Sequence, residues 1–587
     1  MPLDKDLQSI QEMRELVQKA KQAQLEFRAY DQTRVDRIVK AMADAGFDAA
    51  ERLGRMAHEE TGFGKPDDKK KKNEFATRRV WESIKDLRSV GVIREDREKR
   101  IIEIAEPMGV VCALIPSTNP TSTVMFKAII SVKGRNAVVA SPHPRAAKCT
   151  TEAMHVIAQA AEAAGAPQGL MSCLSNPTVE ATNELMKHKL VAIILATGSN
   201  PMVRSAYSSG KPAYGVGSGN VPAYVEKTAN VHKAVADIVS GKVFDYGVLC
   251  STEASVVVDA AVKSIVIDEF KRCKCAFVEG EDKEKLGRLM FDQRGAINPN
   301  MVGKPAPFIA QKAGINVPAE TQVLIAELSG VGREYPLSRE KLSPVLSMFT
   351  VDNWREGCER CIELLEFGGI GHTMVIHSMD EDIILKFAIE KPAFRILVNT
   401  QAALGAVGYT TELLPSMTLG PGTFGGSIIS DNVSAKHMFN IKRLAFETRP
   451  INPEAGTESP KSYANGASAR RVESSTFGGE IRNPAPTAHP LDESTYGLAE
   501  RRRPLAEKSE IQPTISHNLP TSLPKPAPTK SWMEEIDERI RLKAINAPAS
   551  KDKHPQHAPT PESKTGPLGS GISEEDVDRI MKEFGKR

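Results

Sequence analysis

Apolar residues recur every three or four positions through the first 90 residues of the chain. The members of this stripe are Leu16, Val17, Ala20, Ala23, Leu25, Val35, Ile38, Val39 and Met42. Residues at this spacing lie on one face of an α-helix, so the pattern predicts amphipathic helices between residues 4 and about 90. We expect this helical segment to carry no chemistry of its own.

From about residue 100 the pattern changes to short apolar runs that alternate with helical stretches. The runs cover residues 109–115, 136–140, 191–195, 254–258, 275–278, 322–326, 374–376 and 394–399. Apolar runs of strand length separated by helices are typical of parallel strands joined by crossover helices. The sequence therefore predicts an α/β fold of two doubly wound, Rossmann-like units, with Cys250 near their junction.

Beyond about residue 448 the apolar pattern gives way to Pro, Ser, Ala and charged residues. Such a composition cannot bury enough apolar surface to offset the entropy of ordering, so residues 448–570 are expected to form a flexible linker. Two segments of this tail, 531–545 and 571–587, carry an apolar stripe at helical spacing. Helices this short are marginal alone in water, so we expect them to dock on a partner or back on the parent domain.

Composition narrows the class of protein. The chain has 587 residues, too many for one core, which indicates two or three domains. Its 77 basic residues against 74 acidic ones leave a net charge of +3, which gives no electrostatic reason to expect nucleic-acid or membrane partners. Eight thinly spread cysteines, and the lack of an apolar run suited to a signal peptide or membrane span, predict a soluble cytoplasmic protein.

Two residues are candidates for chemistry. Cys250 lies between Gly247 and a Val-rich run, where a thiol is either a presented nucleophile or a small buried hydrophobe. Asn119 follows the run 109–115 and precedes Pro120, and an amide held at the end of a strand suits an oxyanion donor. Each pattern is weak alone, because a single-cysteine signature needs its partners.

Further segments accompany these two residues in a fixed order. They cover residues 106–127, 141–145, 195–199, 208–213, 215–220, 244–250, 340–344, 368–373 and 419–427. Over roughly residues 10–446 the chain closely resembles the aldehyde dehydrogenase superfamily, and within it the CoA-acylating branch of acetaldehyde and propionaldehyde dehydrogenases. The resemblance implies an aldehyde dehydrogenase-like fold and identifies Cys250 as the nucleophile.

The resemblance also implies a mechanism. The Cys250 thiolate attacks the aldehyde, and the Asn119 amide and the Cys250 backbone N–H hold the oxyanion of the thiohemiacetal. Hydride transfer to the nicotinamide cofactor leaves an acyl thioester on Cys250. Water or the thiol of coenzyme A must then release the acyl group.

Whether water or coenzyme A releases the acyl group depends on a general-base glutamate that this chain lacks at the corresponding position. Hydrolytic family members carry a general-base glutamate in the segment that corresponds to 213–222, whereas here that segment has no acidic residue and Val216 takes the corresponding position. We therefore expect acyl-CoA as the product, because a thiol attacks a thioester with little need of a base. Glu253 is an alternative base, in which case the enzyme would be hydrolytic and give free acid. A catalytically inactive scaffold or cargo protein is the other alternative.

By resemblance, the cofactor site draws on several separate segments. Its residues are Pro116, Ser117, Thr118, Ser141, His143, Thr197, Gly198, Ser199, Gly217, Glu340 and Pro344. The helix start at Thr197 would receive the pyrophosphate, and Glu340 would bind the nicotinamide ribose. Ser141 and Pro144 replace the lysine and glutamate that hold the adenosine ribose in hydrolytic members. We therefore expect NAD and leave NADP open, with coenzyme A as co-substrate.

Three further patterns are ambiguous by themselves. Lysines 69–72 could form an anion patch, but a solvated helix face is the interpretation we favour. Cys358 and Cys361 lack a second pair at metal-ligand spacing, so we expect them to be structural and expect no metal. His372, in a glycine-rich stretch, either lines the pocket or is a satisfied structural histidine.

The resemblance finally suggests domains and partners. It implies a cofactor-binding domain at 1–218, a catalytic domain at 219–430 and an oligomerisation segment at 431–447, hence a homodimer or homotetramer. The terminal segment 571–587 resembles the encapsulation peptides of bacterial microcompartment cargo. We therefore expect shell proteins as partners and a microcompartment lumen as the location, with 531–545 as a candidate second docking element.

Overall fold

A computed structural model gives the structure of residues 4–451. The predicted helices at 531–545 and 571–587, and the predicted linker from residue 452 onwards, lie outside the described residues. Within residues 4–451, every helix is too short or too polar to cross a bilayer.

Helices and strands alternate along most of the described chain. The helices are α1 (Lys5–Phe27), α2 (Gln32–Asp48), α3 (Ala50–Thr61), α4 (Pro66–Glu74), α5 (Val80–Ile84), α6 (Pro120–Lys133), α7 (Ala147–Ala163), α8 (Val179–Lys187), α9 (Asn200–Tyr207), α10 (Val231–Val243), α11 (Lys263–Arg272), α12 (Gly280–Met290), α13 (Ala306–Ala313), α14 (Trp354–Gly368), α15 (Glu381–Glu390) and α16 (Ala402–Gly405). The strands are β1 (Gly91–Asp96), β2 (Ile101–Pro107), β3 (Val110–Ile115), β4 (Ala137–Pro142), β5 (Met171–Cys173), β6 (Val191–Thr197), β7 (Ala213–Val216), β8 (Val221–Val225), β9 (Glu253–Asp259), β10 (Cys275–Phe277), β11 (Val323–Glu327), β12 (Val345–Val351), β13 (Met374–His377), β14 (Ile396–Val398) and β15 (Phe439–Ala445).

The apolar stripe of the N-terminal helices faces the core, as its spacing predicts. Val17 and Ala20 in α1, and Ile38 and Met42 in α2, are fully buried. Leu25 is an exception and is 48% exposed, because the buried face of α1 continues through neighbouring positions to the end of the helix. These helices therefore cover the first sheet, and their packing explains their apolar residues without any chemistry.

A five-stranded parallel sheet forms the first α/β unit. Its strand order is β5-β4-β3-β6-β7, so the chain builds outward from β3 on one side and then returns to its other side with β6. The residues of β3 and β4 are buried on both faces, as expected for a sheet covered by helices. Ligands of such sheets bind beyond the carboxyl ends of the strands where the direction reverses. In this sheet the direction reverses between β3 and β6. The carboxyl ends of these two strands are followed by residues 116–119 and 198–199.

A seven-stranded parallel sheet forms the second unit. Its strand order is β10-β11-β12-β9-β8-β13-β14. Strand β9 is buried along its whole length and pairs with β12 on one side and β8 on the other. Strand β13 pairs with the opposite edge of β8. The two sheets together confirm the predicted fold of two parallel, Rossmann-like units, and the chain passes from one to the other between Val216 and Val221.

A small antiparallel sheet joins two distant parts of the chain. Strand β2 pairs with β1 and also with β15, in a register that runs from Phe439 opposite Pro107 to Ala445 opposite Ile101. The strand in the predicted oligomerisation segment 431–447 therefore pairs within its own chain. As the outermost strand of this sheet, β15 has a second edge that no strand covers within residues 4–451.

Candidate active site

The active-site cleft lies where two sheet edges meet. On the side of the first sheet, it is lined by the segments that follow β3, β4, β6 and β7. On the side of the second sheet, it is lined by residues that precede β8, β9 and β12. The cleft has a cavity volume of about 470 Å³. Parallel strands explain this meeting of distant residues, because all strands of a sheet present the same end at the same edge.

Nearly all residues predicted for the site line this cleft. Those that do are Pro116, Ser117, Thr118, Asn119, Ser141, His143, Thr197, Gly198, Ser199, Gly217, Cys250 and Glu340. Pro344 is not among the lining residues. It directly precedes β12, and its carbonyl accepts a hydrogen bond of 3.0 Å from the Leu324 N–H of β11. The residues predicted from the sequence therefore lie in one cleft, except Pro344, which takes part in the strand pairing of the second sheet.

Cys250 reaches the cleft through a tight bend of the backbone. Helix α10 ends at Val243, and Asp245 and Tyr246 then adopt left-handed φ angles of 47° and 51°. Non-glycine residues adopt this conformation only where surrounding contacts hold them there. The bend places Cys250 half-buried in the cleft, three residues before β9 begins.

His372 contacts the thiol of Cys250. Its Nε2 lies 3.3 Å from Cys250 Sγ, and its Nδ1 lies 2.9 Å from Thr373 Oγ1. The contact follows from topology, because Cys250 precedes β9 and His372 precedes β13, and these strands flank β8 in parallel. A donor Nδ1–H to Thr373 leaves Nε2 free to accept the thiol proton. His372 is 1% exposed and is not among the residues that line the cleft, so it meets the site only through its contact with the Cys250 thiol.

Burial dominates the protonation of this pair. Burial and, less strongly, Glu340 raise the pKa of Cys250 to about 12 against the opposing effect of Arg395. Burial and, less strongly, Arg395 lower the pKa of His372 to about 3. Both groups are therefore neutral at neutral pH, so the nucleophile must lose its proton during attack rather than beforehand.

The side-chain amide of Asn119 is held beside the loop that carries Cys250. Its Nδ2 donates to Thr118 Oγ1 at 3.1 Å and to the Val248 carbonyl at 3.5 Å, two residues before Cys250. Its Oδ1 accepts a hydrogen bond of 2.5 Å from Lys72 Nζ. Asn119 lines the cleft, and its amide nitrogen lies beside the loop that carries Cys250. That nitrogen is the candidate donor to an oxyanion on a carbon bound to Cys250.

Glu340 is the one carboxylate among the described residues that line the cleft. Its Oε1 accepts the Gly219 N–H at 3.0 Å, and burial raises its pKa to about 7. The lack of a side chain at Gly219 also lets the backbone of Cys250 approach, because a Cβ there would lie 2.1 Å from the Cys250 carbonyl oxygen. A carboxylate fixed in this way suits hydrogen bonding to a ribose hydroxyl.

The other candidate base lies away from the cleft. Glu253 is fully buried, its Oε1 accepts the Ala402 N–H at 2.5 Å, and it is not a lining residue. Burial raises its pKa to about 7. Val216, the position of the missing glutamate, is 1% exposed and belongs to the core. Neither position offers the cleft a carboxylate that could activate water.

The first-sheet edge of the cleft suits a dinucleotide. Helix α9 begins at Asn200 and no side chain caps it, so its first-turn amide groups and dipole favour an anion beside Thr197 and Gly198. Ser141 is buried and bonds the Thr182 hydroxyl at 2.8 Å. The helix start fits the pyrophosphate of NAD or NADP, and Ser141 lies in the part of the cleft expected to receive the adenosine ribose.

The structure overturns the prediction that lysines 69–72 form a solvated face. Lys69 and Lys72 are 2% and 4% exposed, and both pair with the buried carboxylate of Asp245. Of the four lysines, only Lys70, which is half-buried, and Lys71, which is exposed, reach solvent. The missed signal was helical spacing, because positions 69 and 72 are three apart and align with the buried Ala76.

Cys358 and Cys361 both lie buried in α14. The Cys358 thiol contacts Lys391 Nζ and lies 3.2 Å from Glu390 Oε2. Among residues 4–451, no group of three or more His, Cys, Asp and Glu side chains is arranged to hold a metal ion. The pair thus makes protein contacts within the second unit.

Comparison with known proteins shows the family of this chain. The aldehyde dehydrogenase family profile matches residues 6–284. The bifunctional aldehyde-alcohol dehydrogenase AdhE of Escherichia coli K12 is 42% identical over 443 residues, which are 74% of this chain and 50% of that protein. The chain thus spans about half the length of the first curated relatives it matches. The acetylating succinate-semialdehyde dehydrogenase of Clostridium kluyveri is 36% identical over 434 residues, 74% of this chain and 95% of that protein.

Solved structures of aldehyde dehydrogenases share this fold. The acetylating aldehyde dehydrogenase of Geobacillus thermoglucosidasius is 51% identical with a TM-score of 0.75, over 76% of this chain and 99% of that chain. A propionaldehyde dehydrogenase from the fucose utilisation microcompartment of Clostridium phytofermentans is 28% identical, with a TM-score of 0.67, over 74% and 97%. That of Rhodopseudomonas palustris, with bound propionyl-CoA, is 29% identical, with a TM-score of 0.67, over 74% and 94%. The chain belongs to the aldehyde dehydrogenase family of oxidoreductases, in its acylating branch.

Proposed function

We propose that this protein oxidises a short-chain aldehyde, acetaldehyde or propionaldehyde, with NAD and coenzyme A to the acyl-CoA. The observation that carries the proposal is the chemistry of the cleft: a cysteine in contact with a histidine, and no carboxylate on the segment that activates water in hydrolytic enzymes. The propionyl-CoA bound to the Rhodopseudomonas palustris neighbour supports the same product class.

In the proposed first half-reaction, Cys250 Sγ attacks the aldehyde carbon while His372 Nε2 accepts the thiol proton. The Asn119 amide and the Cys250 backbone N–H donate to the developing oxyanion. A nicotinamide cofactor held by the residues around Glu340 would supply the acceptor for the hydride of the thiohemiacetal carbon. Cys250 then carries an acyl thioester.

In the second half-reaction, the thiol of coenzyme A attacks this thioester. The acyl group moves from one sulfur to another, so Cys250 leaves as a thiol and the product is acyl-CoA. Water is a much poorer nucleophile at neutral pH and would need a general base. The buried position of Glu253, outside the cleft lining, supports the thiol as the acceptor.

For the cofactor, we propose that residues 1–218 bind the dinucleotide and that residues 219–430 carry catalysis. The pyrophosphate would lie at Thr197, Gly198 and Ser199, and the nicotinamide ribose at Glu340. NAD is our proposal for the cofactor, although the region of Ser141 contains no carboxylate that would repel the 2′-phosphate of NADP.

The product of aldehyde oxidation tests this function. Protein, aldehyde and NAD are incubated with and without coenzyme A, and acyl-CoA and free acid are measured by chromatography. We expect acyl-CoA and sustained NADH formation only when coenzyme A is present. Free acid at an undiminished rate without coenzyme A would identify a hydrolytic enzyme, and full turnover by Cys250→Ala would contradict the nucleophile.

We further propose that the protein is microcompartment cargo that binds shell proteins through 571–587. The support is the amphipathic pattern of that segment and the microcompartment origin of the Clostridium phytofermentans neighbour. Deletion of residues 570–587 should leave turnover unchanged and abolish co-purification with shell proteins. Unaltered encapsulation would remove this assignment or move it to 531–545, which a second deletion decides.

A further inference from the structure

A buried ion network lies behind the amide of Asn119. The ammonium group of Lys72 donates to Asn119 Oδ1 at 2.5 Å and also contacts Asp245 Oδ2. Lys72 is 4% exposed and Asp245 is fully buried. The ammonium group is therefore fixed between two acceptors, one of which is the amide oxygen of a cleft residue.

Additional contacts hold this network in one place. Lys69 Nζ bonds Asp245 Oδ2 at 3.1 Å and the Thr118 carbonyl at 3.2 Å. The Lys65 N–H donates to Asp245 Oδ1 at 2.6 Å, and the N–H of Asp245 donates to Asp68 Oδ2 at 2.9 Å. The network thus ties α4 both to the turn that carries Asn119 and to the bend that precedes Cys250.

The chemistry of the ammonium group determines which way the Asn119 amide points. A lysine ammonium has only donors, so it can meet the amide oxygen but not the amide NH₂ group. Because Lys72 holds its oxygen, the amide must turn Nδ2 towards Thr118 Oγ1 and towards the loop that carries Cys250. An amide rotated by half a turn would present its oxygen to the oxyanion and repel it.

We infer that Lys72 is a positioning residue that keeps the Asn119 N–H donor directed at the oxyanion formed on Cys250. This inference rests on the proposed function, in which Asn119 stabilises the thiohemiacetal. Removal of one oriented oxyanion donor typically slows enzymatic acyl transfer by about 10²- to 10³-fold. Loss of the orienting group, with the donor still present, should cost less.

Two reactions of the same cysteine separate positioning from general structure. Aldehyde oxidation passes through an oxyanion, whereas alkylation of the thiol by iodoacetamide is a displacement that forms none. The full-length variants are Lys72→Met, Asn119→Ala, the double variant, and Lys70→Met as a control on the same helix, where Lys70 pairs with exposed Glu51. Alkylation is followed at Cys250 by peptide mass spectrometry, because Cys273 is also partly exposed.

We expect Lys72→Met to lower kcat by about 10- to 100-fold, and its alkylation rate to stay within about twofold of wild type. The double variant should be no more than about twofold slower than Asn119→Ala, since Lys72 acts through the residue already removed. Lys70→Met should behave as wild type in both reactions.

Several outcomes would overturn the inference. Wild-type kcat in Lys72→Met, additive losses in the double variant, or an equal loss of oxidation and alkylation would each do so. If Asn119→Ala itself has wild-type kcat, the oxyanion role in the proposed function fails, which is a separate result. Should Lys72→Met not fold, Lys72→Gln makes the same comparison, because a glutamine amide both donates and accepts and therefore no longer determines which end of the Asn119 amide it meets.

Discussion

Burial keeps Cys250 a neutral thiol in the free protein, with a pKa of about 12. Below that pH the thiolate fraction rises with pH, so the rate of alkylation by iodoacetamide without cofactor should rise about tenfold per pH unit between pH 6 and 9. Glu340, Arg395 and His372 are the charged or titratable groups that act on the thiol. A rate that reaches a plateau near neutral pH would indicate a preformed thiolate and contradict this description.

His372 is expected to act as the proton acceptor for the attacking thiol. Replacement by alanine removes the Nε2 atom that lies 3.3 Å from Cys250 Sγ, so kcat for aldehyde oxidation should fall by about 10²- to 10⁴-fold. His155→Ala, at an exposed position of α7, is the matched control and should have wild-type kcat. Steady-state kinetics compares the two, and similar rates in both variants would exclude His372 as the base.

At the residue scale, the sequence predicted that Cys250 and Asn119 share one site, and both line the cleft, while their roles stay predictions. The sequence could not decide on His372. Cys250 and Asn119 lie in long segments whose order is informative, whereas His372 stands in a short glycine-rich stretch. Its contact with Cys250 depends on β9 and β13 flanking β8, which is a property of strand order. Strand order in a parallel sheet cannot be read from the local pattern of apolar residues.

At the element scale, the start of α4 depends on Gly64. Its φ is 69°, and a Cβ there would lie 1.8 Å from Asp245 Oδ1. Gly64→Ala should therefore lower the free energy of unfolding by about 2–4 kcal/mol, through left-handed backbone strain and displacement of Asp245. Gly210→Ala is the control, since Gly210 has a φ of 78° but open space around its Cβ position.

Denaturant unfolding of both variants measures the difference. Gly210→Ala should cost only the backbone term of about 1–2 kcal/mol. Equal destabilisation by the two substitutions would mean that the Asp245 contact contributes nothing. Aldehyde oxidation should be reduced in Gly64→Ala only, because Asp245 supports the bend that precedes Cys250.

Helix α4 is also where the sequence was misleading. Four consecutive lysines predict exposure, since buried lysines are rare without partners. The partner of Lys69 and Lys72 is Asp245, which lies far along the chain and pairs with both. A local charge pattern cannot reveal such a partner, although the helical spacing of the two lysines was visible.

At the scale of the whole molecule, the free edge of β15 is the candidate subunit interface. Ile441 and Leu444 on this strand are 42% and 45% exposed. We expect a homodimer or homotetramer that depends on β15, and we expect Ile441→Glu with Leu444→Glu to shift it towards monomer in sedimentation velocity. Val92→Glu, at the opposite edge of the same sheet and 45% exposed, is the control. Dissociation by Val92→Glu alone would place the interface on β1 instead.

The alternation of apolar runs predicted the two parallel sheets but not the third sheet. Strands β2 and β15 pair residues near 105 with residues near 441, and neither segment signals its partner. Their register is fixed by the packing of the two large units that lie between them in sequence. The fold class was thus predictable from periodicity, whereas the pairing of distant strands was not.

The central claim is that the acyl group stays on Cys250 until coenzyme A removes it. It is tested most directly by mixing protein, aldehyde and NAD without coenzyme A, and recording NADH formation together with the intact mass of the protein. We expect one NADH per active site, a stall, and an acyl adduct on Cys250 that coenzyme A then removes as acyl-CoA. Continuous NADH formation without coenzyme A, with no adduct on Cys250, would contradict the claim.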